Sequence, residues 1–184
     1  AGHPQKGAAV AKPLTAKMKT FRLVLLLALL WSCTSPEEQR AGESNPMNRP
    51  EVQRVLFRPR TVERTPLPPG AADFDVEAEP GVALGCRFFM VDKNAPTILF
   101  FHGKSEIVAN YDEIGLFYLE QGLNFFVTDY RGYGWSNGSP SFSNLLADSH
   151  VLYNWLQEHL QENGYNPPLF LMGRSLGSAA AIEL

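Results

Sequence analysis

From residue 51 onward the hydrophobic and polar positions change period several times, and each change predicts an element. The stretch FDVEAE, residues 74–79, alternates apolar and charged side chains with period two, as a half-buried strand does. Pro80 and Gly81 supply a turn, and VALGCRFFMV, residues 82–91, returns as a second strand, so an antiparallel hairpin is predicted. The alternation then stops. TILFF, residues 97–101, and NFFVTDY, residues 124–130, are apolar almost without interruption, as strands covered on both faces by helices must be. Between them Tyr111, Ile114, Phe117 and Tyr118 recur at helical spacing, with Gly122 in the place of a C-terminal cap. A second helix is predicted from about Ser143, with Leu145, Leu152, Trp155, Leu156 and Leu160 on one stripe, ending at Gly164 ahead of Pro167 and Pro168. LFLM, residues 169–172, reads as a third buried strand, and Ser178, Ala179, Ala180 and Ala181 begin one more helix.

Strands alternating with helices of this length imply right-handed βαβ crossovers, a mostly parallel sheet and one α/β domain over residues 51–184. The sheet reads as unfinished, because its last strand would leave an apolar edge open to water or to another chain. Upstream the pattern differs. Residues 1–17 read as a leader or as upstream translation, since the chain begins with Ala1. Residues 18–32 follow Met18 with a basic stretch containing Lys19 and Arg22 and an apolar run from Leu23 to Trp31. That run is far short of the ~20 residues a membrane-spanning helix needs. Its end, LWSC, resembles a bacterial lipoprotein signal with Cys33 as the lipidated residue, and residues 33–50 read as a polar tether. Cleavage there would remove Lys6, Lys12, Lys17, Lys19 and Arg22 but no acid, leaving a strongly acidic domain. The expected location is then membrane-anchored, facing the periplasm or exterior. The alternative is a start at Met47 and a cytoplasmic protein.

The bulk numbers narrow the function. A chain of 184 residues with 45% hydrophobic content can bury a core, which excludes a wholly disordered protein. A net charge of −3 without a basic run excludes a nucleic-acid partner. Two cysteines, Cys33 and Cys86, make neither a disulfide framework nor a metal cluster, and no metal or organic cofactor is implied. Cys86 reads as a small, half-buried apolar residue within its strand. Oligomeric state leaves no mark on the sequence.

The chemistry lies in GRSLG, Gly173 to Gly177, which has the form G-x-S-x-G. It follows a predicted strand and opens a predicted helix, the context that a nucleophile elbow requires. Ser175 would occupy a strained turn, and Gly173 and Gly177 would remove collisions two positions to either side. The Leu176 N–H would face negative charge developing on a substrate oxygen. FFHGKSE, residues 100–106, is a loop after an earlier strand, where the Lys104 N–H would be a second donor beside His102 and Gly103.

These segments together resemble the first half of an α/β-hydrolase-fold serine hydrolase, nearest the serine aminopeptidase, monoacylglycerol lipase and depalmitoylase branch. FFHG is similar to the oxyanion loop of that family, DYRGYG (residues 129–134) to its loop after the next strand, and GRSLG to its elbow. The resemblance implies an incomplete α/β-hydrolase fold: an antiparallel hairpin, then parallel βαβ units up to the elbow. It implies hydrolysis of ester, thioester or amide bonds in a small-molecule or acylated substrate through an acyl-enzyme on Ser175, and a structural hydrogen-bonding role for His102. Two departures stand out. Lys104 replaces the asparagine that relatives often carry, placing a charge at the pocket mouth. The family order Ser, acid, His has no counterpart here, because none of the nine residues after Ser175 is histidine. His3, His150 and His159 read as uninvolved, His159 and Arg174 as facing water, and Asp129 as a loop-fixing carboxylate. The chain is therefore expected to be an inactive part of an enzyme; the alternative is a non-catalytic, membrane-anchored binding protein that keeps the fold.

Overall fold

Pro80 and Gly81 turn the chain between strands β1 (Ala71–Glu79) and β2 (Val82–Phe89), with Gly81 at a φ of 80° that its missing Cβ permits. The strands pair antiparallel, Phe74 opposite Cys86 and Val76 opposite Leu84. The computed structural model describes Gly2 and residues 45–165 and 168–184. The segment ending at Cys33, the residues around it and His3 lie outside the described residues. Helix α1 (Pro50–Leu56) precedes the hairpin, with Pro50 in the first turn, where its missing N–H costs nothing.

Strands β3 (Thr97–Phe101), β4 (Asn124–Thr128) and β5 (Leu169–Gly173) complete a five-stranded sheet in the order β1-β2-β4-β3-β5. β2 runs antiparallel to β4, while β3 is parallel to both β4 and β5. Every residue of β3 and β4 is buried, which accounts for their unbroken apolar runs. β5 departs from the expectation of a buried strand. Leu169 and Leu171 pack on the core, but Phe170 is 52% and Met172 38% exposed, because alternate residues point to opposite faces of the sheet and only one face of β5 is packed.

Helix α2 (Asp112–Glu120) also departs from its predicted stripe: Ile114 and Phe117 are exposed. The face on the sheet is centred on Gly115, where an added Cβ would lie 2.5 Å from the Phe89 ring, and Tyr118 stacks on Phe125 at 4.7 Å. Helix α3 (Phe142–Glu162) begins one residue before Ser143, capped by Ser141, whose Oγ accepts from the Asn144 N–H at 3.0 Å. Its buried stripe is Leu145, Leu152, Leu156 and Leu160; burying each such side chain contributes about 1.5–3 kcal/mol. His159 does not simply face water. Its ring stacks on Trp155 at 5.0 Å and meets Phe74 edge-on, and burial lowers its pKa. Cys86 is fully rather than half buried, and burial pushes its thiol pKa up.

Two buried arginines hold the loops. Arg87, on β2, meets Asp73 and Asp112, each at 2.7 Å. Arg131, in the loop after β4, binds Asp148 of α3 through two bonds of 2.8 and 2.7 Å and reaches Glu79. Removing one partner from a buried pair leaves an uncompensated charge, so each pair fixes its loop firmly.

Candidate active site

The parallel strands β3, β4 and β5 end on the same side of the sheet, so the loops that follow them converge there, as ligand-binding loops of open α/β sheets do. Ser175 lies between β5 and helix α4 (Gly177–Glu183), at a φ of 53°. It is the only non-glycine residue at positive φ among the described residues, and its side chain is exposed. Crowding on both sides accounts for the two glycines. An added Cβ on Gly173 would lie 2.3 Å from Gly177 O, and one on Gly177 would lie 2.1 Å from Phe101 O and 2.8 Å from His102 O. Real side chains do not approach backbone this closely. The turn is anchored to the end of β3 by Arg174 N–H donating to Phe101 O at 3.0 Å, and α4 buries Ala180 behind it.

The loop after β3 sits against this turn: an added Cβ on Gly103 would be 3.7 Å from the Ser175 Cβ. His102 is completely buried beneath it. Its Nδ1 donates to Gly103 O at 2.8 Å, its Nε2 is 3.1 Å from Asp129 Oδ1, and its own carbonyl accepts from Tyr130 OH. Both ring nitrogens therefore face oxygen. Asp129 Oδ1 also accepts from Val108 N–H at 2.9 Å, and Asp129 Oδ2 lies so close to Gly134 that an added Cβ there would be 1.8 Å away. Tyr133 OH donates to Lys104 O at 2.8 Å and accepts from Arg58 N–H; burial pushes its phenol up to about 12.

The Lys104 and Leu176 N–H groups form no hydrogen bond among the described residues. The Lys104 side chain turns to α1 and donates to Val55 O at 3.1 Å. Arg174 is only partly free in water: it is paired with Glu106, whose Oε2 accepts from Gly103 N–H and Tyr111 OH, each at 2.7 Å. Glu106 carries no motif signal, although an acid three residues beyond Gly103 has the reach of a capping box. Among the described residues no histidine hydrogen-bonds Ser175: His150 lies beside Glu183, and His159 is in its aromatic cluster. Nor do they hold a cluster of three metal-ligating side chains, or a helix long and apolar enough to cross a membrane.

The family model for the serine aminopeptidases (S33) matches residues 92–184. The chain is 36% identical over 93 residues to protein bem46 of Schizosaccharomyces pombe, covering 50% of this chain and 30% of that protein. It is 33% identical over 91 residues to the lysophosphatidylserine lipase ABHD12 of Danio rerio, 48% of this chain and 23% of the other. Among solved structures, the esterase Pf2001 of Pyrococcus furiosus superposes with a TM-score of 0.54 at 22% identity, covering 67% of this chain and 51% of that one. The chain thus spans less than a third of the length of these two relatives. With the sheet order, the turn at Ser175 and a family match over half its residues, the chain belongs to the serine aminopeptidase S33 family of α/β hydrolases.

Proposed function

We propose that this chain carries the nucleophile and the oxyanion-binding groups of a serine hydrolase of esters, thioesters or amides. The observation that carries this reading is the backbone of Ser175. A serine held at a φ of 53° is a strained residue of the kind that clusters where function requires it. In the proposed reaction the Ser175 hydroxyl oxygen bonds to the substrate carbonyl carbon while its proton passes to a general base. The carbonyl oxygen becomes an oxyanion that accepts from the Leu176 and Lys104 N–H groups, a donor of this kind being worth roughly 3–4 kcal/mol. Collapse expels the alcohol, thiol or amine with a returned proton, and water then hydrolyses the acyl-Ser175.

The general base is not assigned within these residues, since His102 has both ring nitrogens engaged. In the family order Ser, acid, His, the two partners belong to the portion of the relatives that this chain does not span. We therefore expect the 184-residue chain alone to be inactive or nearly so. A fluorophosphonate probe applied to the protein expressed from its complete gene tests the assignment: a labelled Ser175 and an unlabelled S175A are expected. A folded wild type that takes no label overturns it. Lipid attachment at Cys33 is a separate proposal; it requires that Cys33→Ala move the protein out of the membrane fraction.

A further inference from the structure

We infer that Glu106 is a positioning residue for the reaction proposed at Ser175, one that aims the Lys104 N–H and ties its loop to the elbow. The inference rests on that reading of Ser175 and adds a residue to it. Glu106 grips Gly103 from both ends. Its carboxylate Oε2 accepts from the Gly103 N–H at 2.7 Å, and its own N–H donates to Gly103 O at 3.1 Å. The carbonyl so held belongs to the same planar peptide as the Lys104 N–H, and in a trans peptide the two groups point in opposite directions. Gly103 O, held by the Glu106 main-chain N–H and by His102 Nδ1, sets the direction of the Lys104 N–H, and the Glu106 carboxylate contributes by clamping the Gly103 N–H at the other end of the residue. Gly103 needs this restraint, because a residue without a Cβ has the widest choice of backbone conformations. A Cβ added there would lie 2.9 Å from Glu106 Oε2 and would displace the carboxylate.

The same carboxylate reaches beyond its loop. The guanidinium of Arg174, the residue before Ser175, pairs with Glu106 Oε1, and Tyr111 OH donates to Oε2 at 2.7 Å from the turn leading into α2. Burial pushes the Tyr111 phenol up to about 12, so it remains a donor throughout the neutral range. With its side chain 22% exposed, Glu106 makes bonds that are both charge-assisted and partly shielded, the stronger kind. One side chain thereby joins the loop that offers Lys104 N–H to the turn that offers Ser175. A small displacement of either costs rate rather than binding, because the oxyanion forms only in the transition state.

The test uses the protein expressed from its complete gene and its E106A, E106Q, R174M and S175A variants, with p-nitrophenyl butyrate as substrate and active sites counted by exhaustive fluorophosphonate labelling. E106A is expected to lower kcat per titrated site on the order of tenfold to a hundredfold, with KM within about twofold. E106Q keeps one oxygen for the Gly103 N–H and should fall between E106A and wild type; R174M should lose less than E106A. A carboxylate that only stabilised the loop would shift the unfolding midpoint and leave kcat per site unchanged, and that result overturns the inference. If E106A does not fold, an E106Q with wild-type kcat overturns it instead. A wild type no faster than S175A overturns the hydrolase reading, and the positioning role with it. A fast wild type with an equally fast E106A overturns the positioning role alone.

Discussion

Replacing Ser175 by glycine should stabilise the protein while abolishing its labelling. Ser175 sits at a φ of 53°, and an L-residue in this region carries a penalty of roughly 1–2 kcal/mol from its Cβ against the following carbonyl. Glycine removes that penalty but restores freedom to the unfolded chain, which costs about 0.5–1 kcal/mol. The reference must be S175A, because alanine also loses the hydroxyl yet keeps the Cβ and therefore the strain. The net gain of S175G over S175A is then on the order of 0.5–1 kcal/mol, which for a domain of this size raises Tm by about 1–4 °C. Differential scanning calorimetry of the two variants side by side measures it. An S175G that melts at or below S175A would show that the turn is relaxed, and the observation behind the proposed nucleophile would be lost. The expected result is a stability–function trade-off confined to one residue.

Gly177→Ala should destabilise by about 1–3 kcal/mol in urea unfolding, because its Cβ would stand 2.1 Å from Phe101 O, a backbone atom with no room to retreat. Arg131→Met should cost on the order of 3–5 kcal/mol by leaving Asp148 buried without its partner, and pairing it with Asp148→Leu should recover most of the loss. Gly134→Ala would drive a Cβ to 1.8 Å from Asp129 Oδ2, pushing that carboxylate from His102; a changed His102 ring resonance in NMR is the expected sign. For pH, His159 has a pKa lowered by burial, with Glu162 opposing, so its neutral ring is favoured in the folded state. The unfolded chain then binds more protons, and the contribution is present above the ordinary value of about 6.5 and lost as pH falls through the folded value. His159→Phe should therefore flatten the decline in urea midpoint between about pH 7 and pH 5, and an unaltered slope would count against the assignment.

Where burial is decided by neighbours in the sheet, the hydrophobic pattern was a sufficient guide. β3 and β4 are covered on both faces and read as unbroken apolar runs, while β1, at an edge, alternates. The pattern misled where coverage depends on something other than the strand itself. LFLM has the composition of a buried strand, yet β5 lays only the Leu169 and Leu171 face on the core and turns Phe170 and Met172 outward. α2 misled differently: its contact with the sheet runs through Gly115, whose value is the space it leaves for Phe89, and periodicity of large side chains cannot register a missing one. Nothing in the sequence marks Arg87 and Arg131 as buried, because their carboxylate partners lie on other elements that only the fold brings near.

The candidate site divides along the same physical line. Ser175 is restrained sterically: its strained turn fits only if the residues two places before and after it lack a Cβ, so the restraint is written as a fixed glycine spacing and can be read locally. The Lys104 N–H is restrained by polar contacts. Gly103 O is held by His102 and Glu106, His102 by Asp129 and Tyr130, and Lys104 O by Tyr133, so the chain of partners passes from the loop after β3 to the loop after β4. Hydrogen-bond partners need only meet in space, and many residue types could supply each one, so no spacing announces them. A steric requirement narrows the local sequence, whereas a polar network narrows the fold. The proposed nucleophile elbow is for that reason visible in GRSLG, while Glu106, which touches both the loop and the turn at Ser175, becomes visible only when β3 and β5 lie side by side.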